Sequence, residues 1–322
     1  MVTQQLWIAF VLLVSILLAI DLGLFHRRPH ALSLREAAMW TATWITLALC
    51  FGVGVYFHLG KDPAIQFLSG YLVEYSLSMD NVFLFAVIFR HFRVPPKYQR
   101  RVLSWGIITA VALRGVMIAL GAELVERFHW VNYLFGGFLL FTAIRMLRQH
   151  EEETDLNKSK ILHWLRRNMR VLNRYEGSNF FTKHEGKWHV TLLFLVLVFI
   201  EITDVLFAVD SIPAIFGITK DTFIVFTSNI LAILGLRSLY FLLAGVMDLF
   251  YYLPVGLAVI LGFVGSVMVL ETANWVNISA LGSLVFIIAT MGISIAASIA
   301  RKKRQPVQVE AGVAPTEPEQ VE

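Results

Sequence analysis

The sequence predicts an all-α integral membrane protein with about nine transmembrane helices, and three observations support this fold class. Of the 322 residues, 57% are hydrophobic and only 16% are charged, with a mean hydropathy of +0.68. The apolar residues form stretches of about 20, the length that crosses a bilayer as a helix. Lys and Arg lie almost entirely between these stretches on one predicted side. Soluble domains are less apolar and more charged, so we do not expect a soluble enzyme.

The predicted spans are apolar on all faces, whereas the strands of a β-barrel would alternate in segments of about ten residues. Before the first span no basic residue occurs, and no small-residue cleavage site follows it, so we interpret it as a retained helix and not a signal peptide. The nine spans are 5–25, 38–58, 65–89, 102–122, 130–148, 189–212, 222–246, 254–271 and 276–299.

The positions of the basic residues predict the orientation of the chain. With nine crossings and a cytoplasmic C-terminus, 22 of the 27 Lys and Arg residues lie in predicted cytoplasmic segments and three lie on the opposite side. Arg114 and Arg237, the other two, lie inside spans. The positive-inside rule therefore predicts a cytoplasmic C-terminus and an N-terminus outside.

We expect one transmembrane domain over 1–300. In 301–322, a short run of basic residues ends the last span and is followed by a disordered cytoplasmic tail. The longest cytoplasmic loop, 149–188, predicts a basic amphipathic helix on the anionic membrane surface. A solvated connector that covers the helix ends fits this loop equally well. The apolar residues with helical spacing are Ile161, Leu162, Leu165, Met169 and Leu172.

Two parts of the chain carry the same arrangement of charges within apolar spans. In each, two acidic residues six positions apart are followed one span later by a Leu-Arg pair. Because a unit of three spans enters the membrane in opposite directions in its two copies, repeat A (65–148) and repeat B (189–271) predict an inverted repeat. Chance similarity between apolar helices is the alternative. The paired residues are Glu74, Asp80 and Arg114 in the first copy and Asp204, Asp210 and Arg237 in the second.

Six carboxylates within spans predict a cation site. An acid at the centre of a membrane helix costs about 2.5–3.5 kcal/mol, so these residues must line the interior of the bundle. Structural pairing with Arg114 and Arg237 is the alternative, and we expect both arginines to be internal counter-charges. Two arginines leave most of the acids without a partner. The acids are Asp21, Glu74, Asp80, Glu201, Asp204 and Asp210.

The residue types favour a hard divalent cation. Carboxylates, amides and hydroxyls are ligands for Mg²⁺, Ca²⁺ or Mn²⁺, and Asn81 and Ser211 follow Asp80 and Asp210 at equivalent places. No histidine lies inside the acidic spans, and His189 stands at the edge of the span 189–212. Pro213 predicts a helix break near Asp210 that would turn this carboxylate toward Asp80. Asp80 and Asp210 are the expected central ligands. Glu74, Asp204, Asn81 and Ser211 are expected nearby, and Asp21 and Glu201 in a second site or access path.

Two segments resemble the TerC family of bacterial membrane proteins, and in length and span number the chain is most similar to its Alx branch. They are Glu74-Tyr-Ser-Leu-Ser-Met-Asp80-Asn81 and Glu201-Ile-Thr-Asp204-Val-Leu-Phe-Ala-Val-Asp210-Ser-Ile-Pro213. The resemblance covers about 5–300. It implies manganese export across the inner membrane. The family takes its name from tellurium resistance, and members of the Alx branch are also described as redox modulators.

Several functions remain open at this point. The leading one is Mn²⁺ export coupled to protons, with Mn²⁺ as cargo and no resident cofactor. A Ca²⁺/H⁺ exchanger or another divalent-cation carrier uses the same ligand types. A membrane scaffold or a redox modulator without transport is the alternative of another class. The sequence offers no enzyme motif and no feature of nucleic-acid binding, and it leaves homo-oligomerisation open.

Overall fold

We analysed a computed structural model that describes residues 4–25, 33–148, 160–168, 171–172, 174–184, 186–243 and 251–304. The described chain is mostly helical, with one small sheet between the fifth and seventh helices. Its elements are α1 (Gln4–Phe25), α2 (Leu34–Leu59), α3 (Lys61–His91), α4 (Pro96–Arg127), α5 (Val131–Arg148), α6 (Lys160–Asn168), β1 (Val171–Leu172), β2 (Phe181–His184), β3 (Lys187–Thr191), α7 (Leu192–Phe216), α8 (Thr222–Leu234), α9 (Leu236–Leu243), α10 (Leu253–Thr272) and α11 (Ala280–Arg304).

A helix occurs at each of the nine predicted spans, which confirms the all-α fold class. Seven described helices are individually long and apolar enough to cross a membrane, and the bent pair α8–α9 would make an eighth. α5 is the exception, because Arg145 and Arg148 in its last turn lower its mean hydropathy. The long helices exceed the predicted spans at their ends, where polar residues continue the helix beyond the apolar stretch.

Local signals in the sequence explain several helix starts. Ser33 and Glu36 form a capping box at the start of α2, and Asp221 accepts hydrogen bonds from two backbone N–H groups of α8. Pro96 begins α4, where a missing N–H costs no helical hydrogen bond. Gly60 separates α2 from α3 with a φ of 100°, a conformation that glycine adopts readily.

Each central helix of predicted repeat A packs on a helix of predicted repeat B. α3 packs on α8, α4 packs on α7, and α5 packs on α10, while α3 and α7 also contact each other. Two three-helix units related by a two-fold axis would give this pattern, since α3, α4 and α5 would correspond to α7, α8–α9 and α10. The inverted repeat itself stays a prediction.

The contact between α5 and α10 depends on two glycines. A Cβ added to Gly136 would lie 2.6 Å from Cγ2 of Val269 and 2.9 Å from the carbonyl oxygen of Gly265. A Cβ added to Gly265 would lie 2.8 Å from the carbonyl oxygen of Gly136. The two backbones therefore touch, as small residues allow in membrane helices.

We expect Gly136→Ala to destabilise the protein by about 1–3 kcal/mol, since the added methyl group would push the two backbones apart. Gly137→Ala is the matched control, because nothing lies within 4 Å of a Cβ at that position. Thermal unfolding of the detergent-purified variants measures the difference. Equal melting temperatures for the two variants would contradict this close contact.

The described part of the loop 149–188 contains one helix, α6, which is shorter than the apolar repeat over 161–172. Helix α6 ends at Asn168, Leu172 lies in β1, and Met169 lies outside the described residues. Leu162 and Leu165 are buried in the main hydrophobic core. The apolar face of α6 therefore packs on the rest of the protein. This arrangement fits a connector that covers the helix ends.

The sheet that follows α6 was not predicted from the sequence. β1 pairs with β3 in parallel, β2 pairs with β3 in antiparallel, and the strand order is β1-β3-β2. The Tyr175 hydroxyl donates to the Phe92 carbonyl (2.7 Å), and Arg101 donates to Ser178 (2.7 Å). The loop thus covers the adjacent ends of α3 and α4. The predicted tail after Arg304 lies outside the described residues.

Candidate metal centre

A cavity of about 450 Å³ lies among α3, α5, α7 and α10, and we call it the central cavity. Asp80 and Asn81 reach it from α3, and Asp210 and Ser211 reach it from α7. The structure therefore places the two expected central ligands, Asp80 and Asp210, in one cavity. Its other polar lining residues are Thr142, Arg145 and Thr203.

The polar groups of the central cavity are held by the surrounding helices. The Thr142 hydroxyl donates to Oδ1 of Asp210 at 3.1 Å. Asn81 is buried, and both aspartates are partly buried. The cavity thus offers two carboxylates, one amide and several hydroxyls to a ligand. Among the described residues, no group of three or more His, Cys, Asp or Glu residues could hold a metal ion, so a cation here would also need amide, hydroxyl or water oxygens.

Glu74 and Asp204 belong to a different group, centred on Arg114. All three side chains are buried, and Arg114 forms ion pairs with Glu74 and with Asp204 (Nη2 to Oδ1, 3.3 Å). Asn229 on α8 donates to Glu74 at 3.0 Å and accepts from Arg114 at 3.2 Å. The Arg114 guanidinium also donates to Ser211 at 3.2 Å. Glu74 and Asp204, which we expected near Asp80 and Asp210, therefore bind Arg114 and do not line the central cavity.

Ser211 connects the Arg114 group to the central cavity. Its hydroxyl accepts from Arg114, and the same residue lines the cavity beside Asp210. The ion-pair group therefore lies directly behind one wall of the cavity. A fixed arginine at this position holds the α7 wall in place.

Asp21 pairs with Arg237 and does not line the central cavity. Both side chains are buried, and Arg237 donates to the carboxylate of Asp21 and to its carbonyl oxygen (3.2 Å). Arg237 also donates to Ser104 on α4 at 3.0 Å. The pair joins α1 and α9, so Asp21 has a structural partner.

Glu201 lies in a small separate space of about 20 Å³, which Asp204 and Arg237 also line. Both carboxylate oxygens of Glu201 are buried, and the side chain of Thr109 is close enough to interact with them. A Cβ on Gly106 would lie 3.3 Å from Oε1 of Glu201, so glycine leaves room for this carboxylate. Glu201 is thus not a wall of the central cavity.

The predicted helix break at Pro213 is wrong. α7 continues through Pro213 to Phe216, and the chain after it stays hydrogen-bonded, with Gly217 N–H donating to the Pro213 carbonyl at 2.9 Å. The proline removes only its own bond to Val209, and the buried last turn keeps the helical path. The sharp bend occurs instead at Gly235, where α8 and α9 meet at 44°.

Three polar residues of the central cavity were not predicted: Thr142, Arg145 and Thr203. Thr142 is an isolated threonine in the apolar span 130–148, and threonines in membrane helices commonly bond to their own backbone. Only the packing of α5 against α7 shows that this hydroxyl meets Asp210.

Comparisons with known proteins identify similar sequences over most of the chain. Residues 59–306 match the model of the integral membrane protein TerC family. An uncharacterized membrane protein of Myxococcus xanthus is 46% identical over 94% of both chains. A protein of Escherichia coli strain K12 is 45% identical over 90% of this chain and 93% of its own, and it is named as a candidate membrane-bound redox modulator, Alx. No solved structure matches the chain.

Proposed function

The chain belongs to the TerC family of integral membrane proteins, and from that premise we propose that it exports divalent manganese from the bacterial cytoplasm through the central cavity. The observation that carries this proposal is the presence of Asp80 and Asp210 in one cavity. They come from two different helices of a multi-pass membrane protein. Acidic residues inside membrane spans are costly and commonly mark ion pathways.

The distribution of arginines supports a cation as the ligand of this cavity. Arg114 pairs with Glu74 and Asp204, and Arg237 pairs with Asp21, whereas Asp80 and Asp210 form no ion pair among the described residues. Arg145 lines the same cavity and offsets part of its negative charge. A divalent cation between the two aspartates would supply the missing positive charge.

Manganese as the cargo rests on the resemblance to the TerC family, because the ligand types do not separate Mn²⁺ from Ca²⁺. Both ions accept carboxylate, amide and hydroxyl oxygens. A Ca²⁺/H⁺ exchanger is therefore the second candidate within transport. A measurement of ion flux with Ca²⁺ in place of Mn²⁺ distinguishes the two candidates.

Proton coupling follows from the same charges. When the cation leaves the central cavity, two carboxylates in a poorly solvated space need another counter-charge, and protons can supply it. Metal binding would then release protons, and metal release would take them up again. Inward proton movement would drive outward cation movement.

Reconstitution into sealed liposomes tests this function. Flux of Mn²⁺, Ca²⁺, Mg²⁺ and Zn²⁺ is measured together with the internal pH. We expect Mn²⁺ flux accompanied by opposite proton movement. Flux without any pH change would leave an uncoupled pathway, Ca²⁺ flux without Mn²⁺ flux would favour the exchanger, and no flux of any ion would contradict transport.

Redox modulation is the function in the name of the Alx relatives, and in this chain it would depend on Cys50. This is the only cysteine in the sequence, it lies exposed on α2, and it cannot form a disulfide within one chain. We expect Cys50→Ser to leave manganese tolerance of cells unchanged, because Cys50 does not line the central cavity. Loss of tolerance in this variant, at equal protein level, would favour a thiol-based function.

A further inference from the structure

A second polar cavity lies further along the helices that line the central cavity. It has a volume of about 450 Å³ and lies where α5 begins and where α7 and α10 end. We call it the end cavity. Its polar side chains include an amide at the start of α5, an ammonium after α7 and a carboxylate near the end of α10, with two more amides in the following turn: Asn132, Lys220, Glu271, Asn274 and Asn277.

The two cavities are stacked along the same three helices. On α5 the central cavity reaches Phe138 and the end cavity reaches Asn132, and on α10 the corresponding residues are Leu261 and Met268. At 1.5 Å per residue, these separations are about 9–10 Å along each helix. On α7 the two cavities are also a few residues apart. All three helices therefore place the end cavity about one and a half to two turns beyond the central cavity.

Buried apolar residues occur between the lining residues of the two cavities, and we call this level of the helices the intervening layer. On α7 they are Ile212 and Ile215, which face Gly121 on α4 and Gly70 on α3, and on α10 it is Val264, which lies against Gly217. The touching backbones of Gly136 and Gly265 lie in the same layer. A polar ligand that left the central cavity along these helices would pass this layer and arrive in the end cavity.

Asn132 supplies the observation that points to a ligand. The residue is 2% exposed, it lines the end cavity, and no described residue forms a hydrogen bond with its buried side-chain oxygen. A buried amide without a partner costs free energy, so such a group is expected to meet a ligand or water. An amide oxygen is also a usual ligand of hard divalent cations.

Glu271 adds a negative charge to the same cavity. One of its carboxylate oxygens accepts from the backbone N–H of Ile278 at 3.2 Å, and the second oxygen has no such bond among the described residues. Lys220 lines the cavity as well, but the described residues show no ion pair between Lys220 and Glu271. The carboxylate therefore remains available to a cation.

We propose that the end cavity is a second, weaker site for the transported divalent cation, in which Glu271 and Asn132 bind the ion after it leaves Asp80 and Asp210. This inference rests on the proposed function. With the orientation that the basic residues predict, the end cavity faces away from the cytoplasm and is the release site. One carboxylate and neutral amides bind a divalent cation less tightly than two carboxylates do, which suits release.

Lys220 has a defined part in this site. Its ammonium repels a bound cation and shortens the time that the cation stays. Removal of Glu271 and removal of Lys220 should therefore change cation affinity in opposite directions. A role limited to folding would not give effects of opposite sign.

Titration of the purified full-length protein with Mn²⁺, followed by the electron paramagnetic resonance signal of the free ion, tests the proposal. The wild type should show a tighter and a weaker class of binding. Glu271→Gln should weaken the weaker class about tenfold and Lys220→Gln should tighten it about tenfold, the change that one charge makes at a partly exposed site. Glu126→Gln is the matched control, since Glu126 is an exposed carboxylate at the same end of the molecule and outside the end cavity.

The variant Asp80→Asn separates this proposal from the proposed function. It should remove the tighter class and leave the weaker one. If it does so while Glu271→Gln and Lys220→Gln both match the wild type, the end cavity is not a cation site and the proposed function stands. If Asp80→Asn leaves both classes intact, the central site itself is wrong. Lys220 is exposed, so its variant decides the question even if Glu271→Gln fails to fold.

Discussion

Replacing Arg114 with methionine should destabilise the protein by about 3–5 kcal/mol, the usual cost of removing one partner from a buried ion pair. The change leaves the carboxylates of Glu74 and Asp204 buried without their counter-charge. It also removes the hydrogen bonds that Arg114 donates to Ser211 and to Asn229. Thermal or denaturant unfolding of the purified protein measures the effect. Arg114→Lys should be intermediate, because it keeps the charge and loses the planar arrangement of donors.

The matched control for Arg114 is Arg127→Met. Arg127 pairs with Glu123 at 3.6 Å on the surface of α4, and both side chains are more than 60% exposed. Such a pair contributes well under about 1 kcal/mol. The triple variant Arg114→Met, Glu74→Gln, Asp204→Asn should recover much of the lost stability, since it leaves no unpaired charge. Equal stability of the Arg114 and Arg127 variants would contradict the central role of this ion-pair group.

Replacing Asp80 or Asp210 with asparagine should abolish protection against excess manganese in cells, with at least about a tenfold loss of export. Asparagine preserves the shape of the side chain and removes the charge that would hold the cation. Neither aspartate forms an ion pair in the described structure, so neither variant should lose stability. Growth at increasing manganese concentration, together with cellular manganese content, measures the effect.

Glu74→Gln and Asp204→Asn provide the comparison within the same two helices. They remove a carboxylate from Arg114 and not from the central cavity. We therefore expect them to lower the melting temperature as well as export, whereas the Asp80 and Asp210 variants lower export alone. The opposite assignment, with stable Glu74 and Asp204 variants and unstable Asp80 and Asp210 variants, would mean that the two groups have exchanged roles.

Helical periodicity explains which parts of the site the sequence could predict. Residues six positions apart on a straight helix differ by about 120° in direction. Asp80 and Glu74 therefore face different neighbours, and so do Asp210 and Asp204. A break at Pro213 was expected to turn Asp210 toward Asp80. α7 stays helical to Phe216. On both α3 and α7, one acid pairs with Arg114 and the other lines the central cavity.

The remaining differences come from contacts between distant segments. Arg237 has Asp21 as its partner, and Asp21 lies on α1, outside both predicted repeats. The hydroxyl of Thr142 reaches Asp210 only because α5 packs on α7. Most spans were predictable from apolar length, whereas α5 is less apolar and α8–α9 is bent. The small sheet after α6 was not, because its strands are two to five residues long and carry no clear alternation.

The most direct measurement of the central claim is a structure of the protein crystallised with Mn²⁺, with anomalous scattering recorded at the manganese absorption edge. Anomalous scattering locates the ion without any assumption about its ligands. We predict a peak in the central cavity between the carboxylates of Asp80 and Asp210, which disappears in the Asp80→Asn variant. A peak beside Glu201 or Glu74, or no peak in a protein that still transports manganese, would contradict this account.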